Sequence, residues 1–237
     1  MKLRNEPEGI HFYDRVSGTH ILLDEILPPK EQYSLAPRTV SIAITDACDL
    51  HCPHCHISKG NSYIDVEVIM TICKKLDSMG SFDIAIGGGE PTIHPDFITI
   101  CKRIWNETNL GVSVTTHGRN LTKVMLDQLK GNLSFLRISI DGTWHTYEKY
   151  RNSNYEYILE LLSEIETLIP FGINVVVNSD TINDLDEILS LSAKHNAVEL
   201  LLLPQINNDQ FILTDDLWLK LEKWILRNND KLPLRLL

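Results

Sequence analysis

From residue 39 onward the chain alternates short apolar runs with stretches of helical period, and this alternation limits the folds open to it. The runs are Val40–Ile44, Ile84–Ile86, Gly111–Thr115, Leu136–Ile140, Ile173–Val177 and Val198–Leu203. Most are rich in Ile, Val or Leu without strict polar alternation, as suits strands buried on both faces. Between the first two, Val66, Ile69, Cys73, Leu76 and Met79 follow helical spacing, with Asp65 as N-cap and Gly80 as stop. Phe97–Trp105, Thr122–Leu129, Tyr155–Leu168 and Leu185–His195 read the same way, and Thr214 with two aspartates opens a last helix over Leu217–Leu226. Six strand–helix units in series imply a parallel sheet with right-handed crossovers, either a doubly wound open sheet or an incomplete barrel. A complete eight-fold barrel takes about 250 residues. A partial (β/α)6 barrel of the TIM type fits residues 39–237.

Residues 1–38 stand apart. Ile10–Tyr13 and His20–Leu23 flank Ser17 and Gly18, which predicts a β-hairpin with the glycine in its turn. Pro28, Pro29 and Pro37 then punctuate the approach to the main body. The expected division is an N-terminal hairpin over 1–38 and a barrel with a C-terminal helix over 39–237. Acidic residues outnumber basic ones, 32 to 22, for a formal charge of -10. That balance argues against a partner with a phosphate backbone. The first residues have no apolar signal core, and no run approaches membrane-spanning length, so the chain reads as cytoplasmic.

The unusual residues fall in the loops that follow the strands. After the first come Cys48, Cys52 and Cys55, spaced C-x3-C-x2-C within eight residues. The second is followed by Gly87-Gly88-Gly89-Glu90-Pro91-Thr92, the third by Thr115-Thr116-His117-Gly118, and the fourth by Ser139-Ile140-Asp141-Gly142. Asn178-Ser179-Asp180 follows the fifth run, and Pro204–Asp209 the sixth. In parallel α/β folds such loops share the face where ligands bind. Three cysteines this close are odd in number and their loops are too short to close well as disulfides, so they point to a metal. Three thiolates leave one coordination position open. A Cys3His zinc set completed by His51, His54 or His56 is also available, although a closed zinc explains neither the glycine run nor Glu90. Cys73 and Cys101 sit at apolar positions inside predicted helices and read as core.

Cys48, Cys52 and Cys55, together with Gly88-Gly89-Glu90-Pro91, resemble the signature of the radical S-adenosylmethionine (radical SAM) superfamily over about residues 38–210. The resemblance implies one 4Fe–4S cluster on the three cysteines, its fourth iron bound by the amino and carboxylate groups of SAM. Reductive cleavage of SAM would then give a 5′-deoxyadenosyl radical that abstracts hydrogen from a substrate. It further implies Gly88, Gly89, Glu90 and Pro91 at the methionine end, with Thr116 and Ser139 at the ribose or carboxylate. Asn178 and the backbone near Leu203 and Pro204 would lie near ribose and adenine. His54 stands where the family often has an aromatic residue against adenine. His117 stands where Asn is common, and is either a substrate or catalytic contact or one polar contact replacing another. The hairpin, and the Ser139–Gly142 loop followed by Tyr150 and Arg151, resemble the branch that modifies peptides and proteins. The expected partners are therefore a peptide or small-molecule substrate and a reductant such as flavodoxin or ferredoxin. With only Cys73 and Cys101 left over, a single cluster is expected. The alternative reading is a non-catalytic Cys3His zinc or Fe–S binding module.

Overall fold

The computed structural model describes residues 1–55, 57–207, 210–231 and 233–236, so that His56, Asn208 and Asp209 lie outside the described residues. The chain divides into two compact units. One comprises Met1–Ala47, Lys59–Thr115 and Thr122–Phe135, and the other Cys48–Ser58, Thr116–Leu121 and Leu136–Leu237.

The first unit opens with three antiparallel strands, β1 (Lys2–Glu6), β2 (Gly9–Asp14) and β3 (Thr19–Leu23). The expected hairpin is β2–β3, turned at Gly18 with φ +69°. The additional strand β1 has the sequence KLRNE, whose charges hide its role because buried charges are rare. Arg4 is nevertheless buried, donating to the carbonyls of Gly80 and Ala36 and to Glu6 Oε1, the last at 2.6 Å. Tyr13 and His11 pack on Phe82 with ring centroids 5.2 and 5.0 Å apart. Arg15 caps carbonyls of Trp105, Thr108 and Leu110. Gly80 and Phe82 precede a barrel strand, as do Thr108 and Leu110, so the small sheet covers the N-terminal ends of strands, opposite the ligand loops.

Burial alone would raise the Glu6 carboxyl, but Arg38 and Arg4 bring it down from 4.5 to about 2. A carboxylate stabilised to this degree contributes about 3 kcal/mol. Its folded-state value lies below its unfolded one, so the contribution is complete above about pH 4.5 and lost as pH falls toward 2. Urea unfolding at pH 7 and pH 3 should show wild type losing stability between the two, and Glu6→Gln, weaker at pH 7, losing less.

The rest of the first unit is β4 (Thr39–Thr45), α1 (Val66–Ser78), β5 (Asp83–Gly88), α2 (Phe97–Glu107), β6 (Gly111–Thr116) and α3 (Lys123–Leu129). β4, β5 and β6 pair in parallel. Asp65 caps α1 by accepting from the Glu67 N–H at 2.8 Å, and Gly80 ends the turn with φ +95°. The helices turn Ile69, Met70 and Cys73, then Phe97, Ile100, Cys101 and Ile104, inward. Each such side chain stabilises by roughly 1.5–3 kcal/mol. Cys73 and Cys101 are fully buried, and burial pushes the Cys73 thiol up to about 12, so both are core thiols.

The second unit carries β7 (Phe135–Ser139), α4 (Trp144–Arg151), α5 (Tyr155–Ile165), β8 (Phe171–Val177), α6 (Leu185–Lys194), β9 (Glu199–Pro204), a small antiparallel pair β10 (Ile206–Asn207) and β11 (Gln210–Phe211), α7 (Asp215–Asn228) and β12 (Leu234–Leu236). β7, β8, β9 and β12 pair in parallel. With β4–β6 these are the seven strands of the parallel sheet. β12 adds a seventh strand to the expected six; three residues after a proline give no periodicity to detect. α4 was also illegible, because WHTYEKYR offers only Tyr147 to the interior. Among the described residues no helix is long and apolar enough to cross a membrane.

Candidate metal centre and cofactor loops

In the first unit the glycine loop is shaped by the end of β4. The Gly89 N–H donates to Thr45 O and the Glu90 N–H to Ala47 O, both at 2.8 Å. Gly88 has φ +135°, and a Cβ there would lie 2.2 Å from Thr45 O; one at Gly89 would lie 2.2 Å from Ala47 O. Both glycines are therefore demanded by backbone contact with the stretch that leads into Cys48. Gly87 differs, since a Cβ there would meet nothing within 4 Å. Its missing side chain leaves open space that the fold does not need. Glu90 is buried, and its Oε1 accepts from the Thr92 N–H at 3.1 Å and Oγ1 at 2.5 Å. Pro91 starts the short turn that this carboxylate caps.

The cysteine loop belongs to the second unit. Cys48 and Cys52 are half-buried, Cys55 is exposed, and none is disulfide-bonded. The Cys55 N–H donates to Cys52 O at 3.1 Å, closing a tight turn over Pro53 and His54. Two side-chain clusters brace this loop. In one, Asp49 Oδ1 lies 2.9 Å from His117 Nε2, and Asn120 Nδ2 is 3.4 Å from both Asp49 oxygens. Partial burial opposes ionisation of Asp49, but His117 and Asn120 outweigh it and hold the carboxyl below its usual range.

The other brace centres on Asp141, which is fully buried. Its Oδ2 sits 2.5 Å from Arg151 Nη2 and 3.0 Å from His54 Nε2, and its Oδ1 accepts from the Val176 N–H at 2.7 Å. Burial pushes this carboxyl up, but Arg151, His54 and the Val176 amide together hold it below the ordinary value. Arg151 also reaches Cys52, with Nη1 at 3.8 Å from Sγ. The His54 ring lies 5.5 Å from that of Tyr150, whose hydroxyl donates to Asp180 at 3.0 Å. Among the described residues, His54 Nδ1 and Arg151 Nε have no hydrogen-bond partner.

The remaining loop residues are ordered by their own contacts. Thr116 is buried, its Oγ1 accepting from the Gly118 N–H at 2.9 Å. Ser139 is buried at the end of β7, in register with Asn174. Asn178 Oδ1 accepts from the Asp180 and Thr181 N–H groups, and its Nδ2 donates to Gln205 Oε1 at 3.0 Å. Leu203 is half-buried in β9.

Cys48, Cys52, Cys55, His54, Thr116, His117, Ser139, Asn178 and Leu203 thus belong to one unit, and Gly88, Gly89, Glu90 and Pro91 to the other. Sequence reasoning passed over Asp49, named Asp141 only as part of its loop, and noted Arg151 only for its neighbours. The signal for Asp49 was present: a carboxylate beside a metal-type cysteine is an orienting group in waiting.

A closed zinc reading asks for close sulfurs and a fourth ligand. A tetrahedral zinc draws its sulfurs to about 3.8 Å of one another. Among the described residues, Cys48, Asp49 and His117 bring potential ligand atoms within 4.8 Å of one another. Of the candidate fourth ligands, His54 turns Nε2 to Asp141, His51 is exposed, and His56 is outside the described residues.

Comparisons with known proteins agree. A family model described as Radical SAM superfamily matches residues 42–192. The chain is 26% identical over 178 residues to a probable GTP 3′,8-cyclase of Methanococcus vannielii, covering 71% of this chain and 59% of that protein. It is 28% identical over 170 residues to the mycofactocin maturase MftC of Mycobacterium tuberculosis, covering 68% and 43%. The chain thus spans less than two thirds of the length of these curated relatives. Among solved structures, Streptococcus suis SuiB bound to S-adenosylmethionine superposes with a TM-score of 0.77 at 13% identity, over 100% of this chain and 71% of that one. anSMEcpe with bound AdoMet and the Cp18Cys peptide gives 0.66 at 17% identity, over 83% and 62%. These likenesses show the fold to be the TIM-like partial barrel expected. With the family match spanning most of the barrel, the chain belongs to the radical SAM superfamily.

Proposed function

We propose that this enzyme modifies a peptide by SAM-dependent radical chemistry, with Cys48, Cys52 and Cys55 as the ligands of its 4Fe–4S cluster. The superfamily uses such a cluster together with SAM. When bound, the pair supplies an electron and a 5′-deoxyadenosyl radical that takes hydrogen from the substrate. The chain's own residues hold and shield this chemistry. The observation that carries the reading is the Asp141 brace, which fixes His54 beside Cys55 and aims a guanidinium at Cys52. Gly88, Gly89, Glu90 and Pro91 take the methionine end of SAM, with the buried Glu90 carboxylate set to accept from its ammonium group. Thr116 and Ser139 contact ribose or carboxylate, His54 faces adenine, and Leu203 lines the adenine edge. Asn178 contributes by shaping its loop. Electrons come from a cytoplasmic reductant such as flavodoxin or ferredoxin.

The peptide assignment is supported by the solved structures of similar fold, which include SuiB bound to its precursor peptide SuiA. The GTP 3′,8-cyclase relatives favour a second reading, a nucleotide-sized substrate. Release of 5′-deoxyadenosine separates the two. Acceleration by the cell's small-peptide fraction, abolished when that fraction is digested with protease, is the expected result. Acceleration by GTP, with none from peptides, contradicts it.

A further inference from the structure

Asp49 follows the first cysteine directly, and neither the family match nor the loop motifs give it a task. Its partner His117 is buried, and its proton can be placed from the surrounding contacts. The Arg119 N–H donates to His117 Nδ1 at 3.1 Å. A ring nitrogen that accepts a backbone N–H carries no proton of its own, so the proton sits on Nε2. That nitrogen lies 2.9 Å from Asp49 Oδ1 and donates to it. Asn120 holds both carboxylate oxygens from another side. Each ring nitrogen is therefore used within the loops. The Cys48 sulfur, a carboxylate oxygen of Asp49 and a His117 nitrogen all lie within 4.8 Å of one another.

We propose that Asp49 and His117 are positioning residues, a carboxylate–imidazole strut that ties the cysteine loop to the Thr116–Leu121 loop and fixes the Cys48 sulfur for cluster ligation. The proposal rests on Cys48 being a cluster ligand. It assigns His117 a role away from acid–base chemistry. Groups that orient metal ligands in this way are commonly worth about ten- to a hundredfold in metal affinity.

The test uses anaerobically reconstituted protein and measures the rate of iron release to a chelator, with the EPR spectrum of the reduced cluster and the melting temperature of the apo-protein alongside. His117→Ala and Asp49→Ala should each speed iron release about tenfold. The double variant should release iron no faster than either single one, because one strut is lost in every case. His117→Gln keeps an N–H donor in reach of Asp49 and should restore most of the retention. Apo-protein melting should change little in the Gln variant, which keeps the result readable even if the Ala variants fold poorly. Unchanged iron release in both Ala variants overturns the proposal, as do single effects that multiply in the double variant. Rescue of 5′-deoxyadenosine formation in His117→Ala by added imidazole, with the cluster intact, overturns it in favour of a proton-transfer role. A wild-type chain that takes up no iron overturns the ligand assignment itself, and is distinguishable from these outcomes.

Discussion

Cys52→Ala is expected to hold no 4Fe–4S cluster after reconstitution and to release no 5′-deoxyadenosine above background. Three thiolates are the fewest that leave a single iron open to SAM, and two remaining sulfurs cannot ligate three irons. The effect should be confined to the centre. Cys52 is only half-buried, so its loss opens no core cavity, and the apo-protein should melt within a few degrees of wild type. Cys73→Ala is the matched control. That sulfur is fully buried in α1, where burial raises its thiol to about 12, and it packs in the core. The control should lose about 1–2 kcal/mol of stability through lost packing while keeping its iron. Iron and sulfide analysis, with circular dichroism melting on the same samples, checks both halves. Loss of iron in the Cys73 variant would place a second metal site where a core thiol is described.

Asp141→Ala should produce the largest loss of stability of any loop substitution. It strands the Arg151 guanidinium in the interior, leaves His54 without its carboxylate, and orphans the Val176 N–H. Removing one partner of a buried ion pair costs about 3–5 kcal/mol. For a chain of this size that is a fall of about 10 °C in melting temperature. The double variant Asp141→Asn/Arg151→Met keeps an acceptor for Val176 and removes the stranded charge. It should regain most of the lost stability. Iron retention should not return with it, because the guanidinium beside Cys52 is gone. Recovery of both would mean that the pair serves the fold alone.

The local signals gave the six expected barrel strands to within one or two residues, because short runs rich in Ile, Val and Leu stand out between helical stretches. Helices with caps and apolar stripes, such as α1 behind Asp65, were equally plain. What escaped notice lacked such signals. β1 buries a charged residue, Arg4, whose partners at Ala36 and Gly80 are distant in sequence. α4 buries one tyrosine, and β12 is three residues long. The site divided along the same line. Residues proposed to carry the chemistry, the cysteines and Glu90, stand out in the sequence as motifs. Residues whose importance comes from where they meet do not, as with Arg151 and Cys52, 99 positions apart. The glycine loop combined the two: Gly88 and Gly89 answer to the β4 backbone, while Gly87 is the glycine that leaves open space.

The most direct test of the whole account is SAM cleavage by the reconstituted enzyme under reductant, without air. The account predicts 5′-deoxyadenosine and methionine in equal amounts, dependent on each of Cys48, Cys52 and Cys55. An intact cluster that leaves SAM whole, or a protein purified without air that carries stoichiometric zinc and no iron, would contradict it.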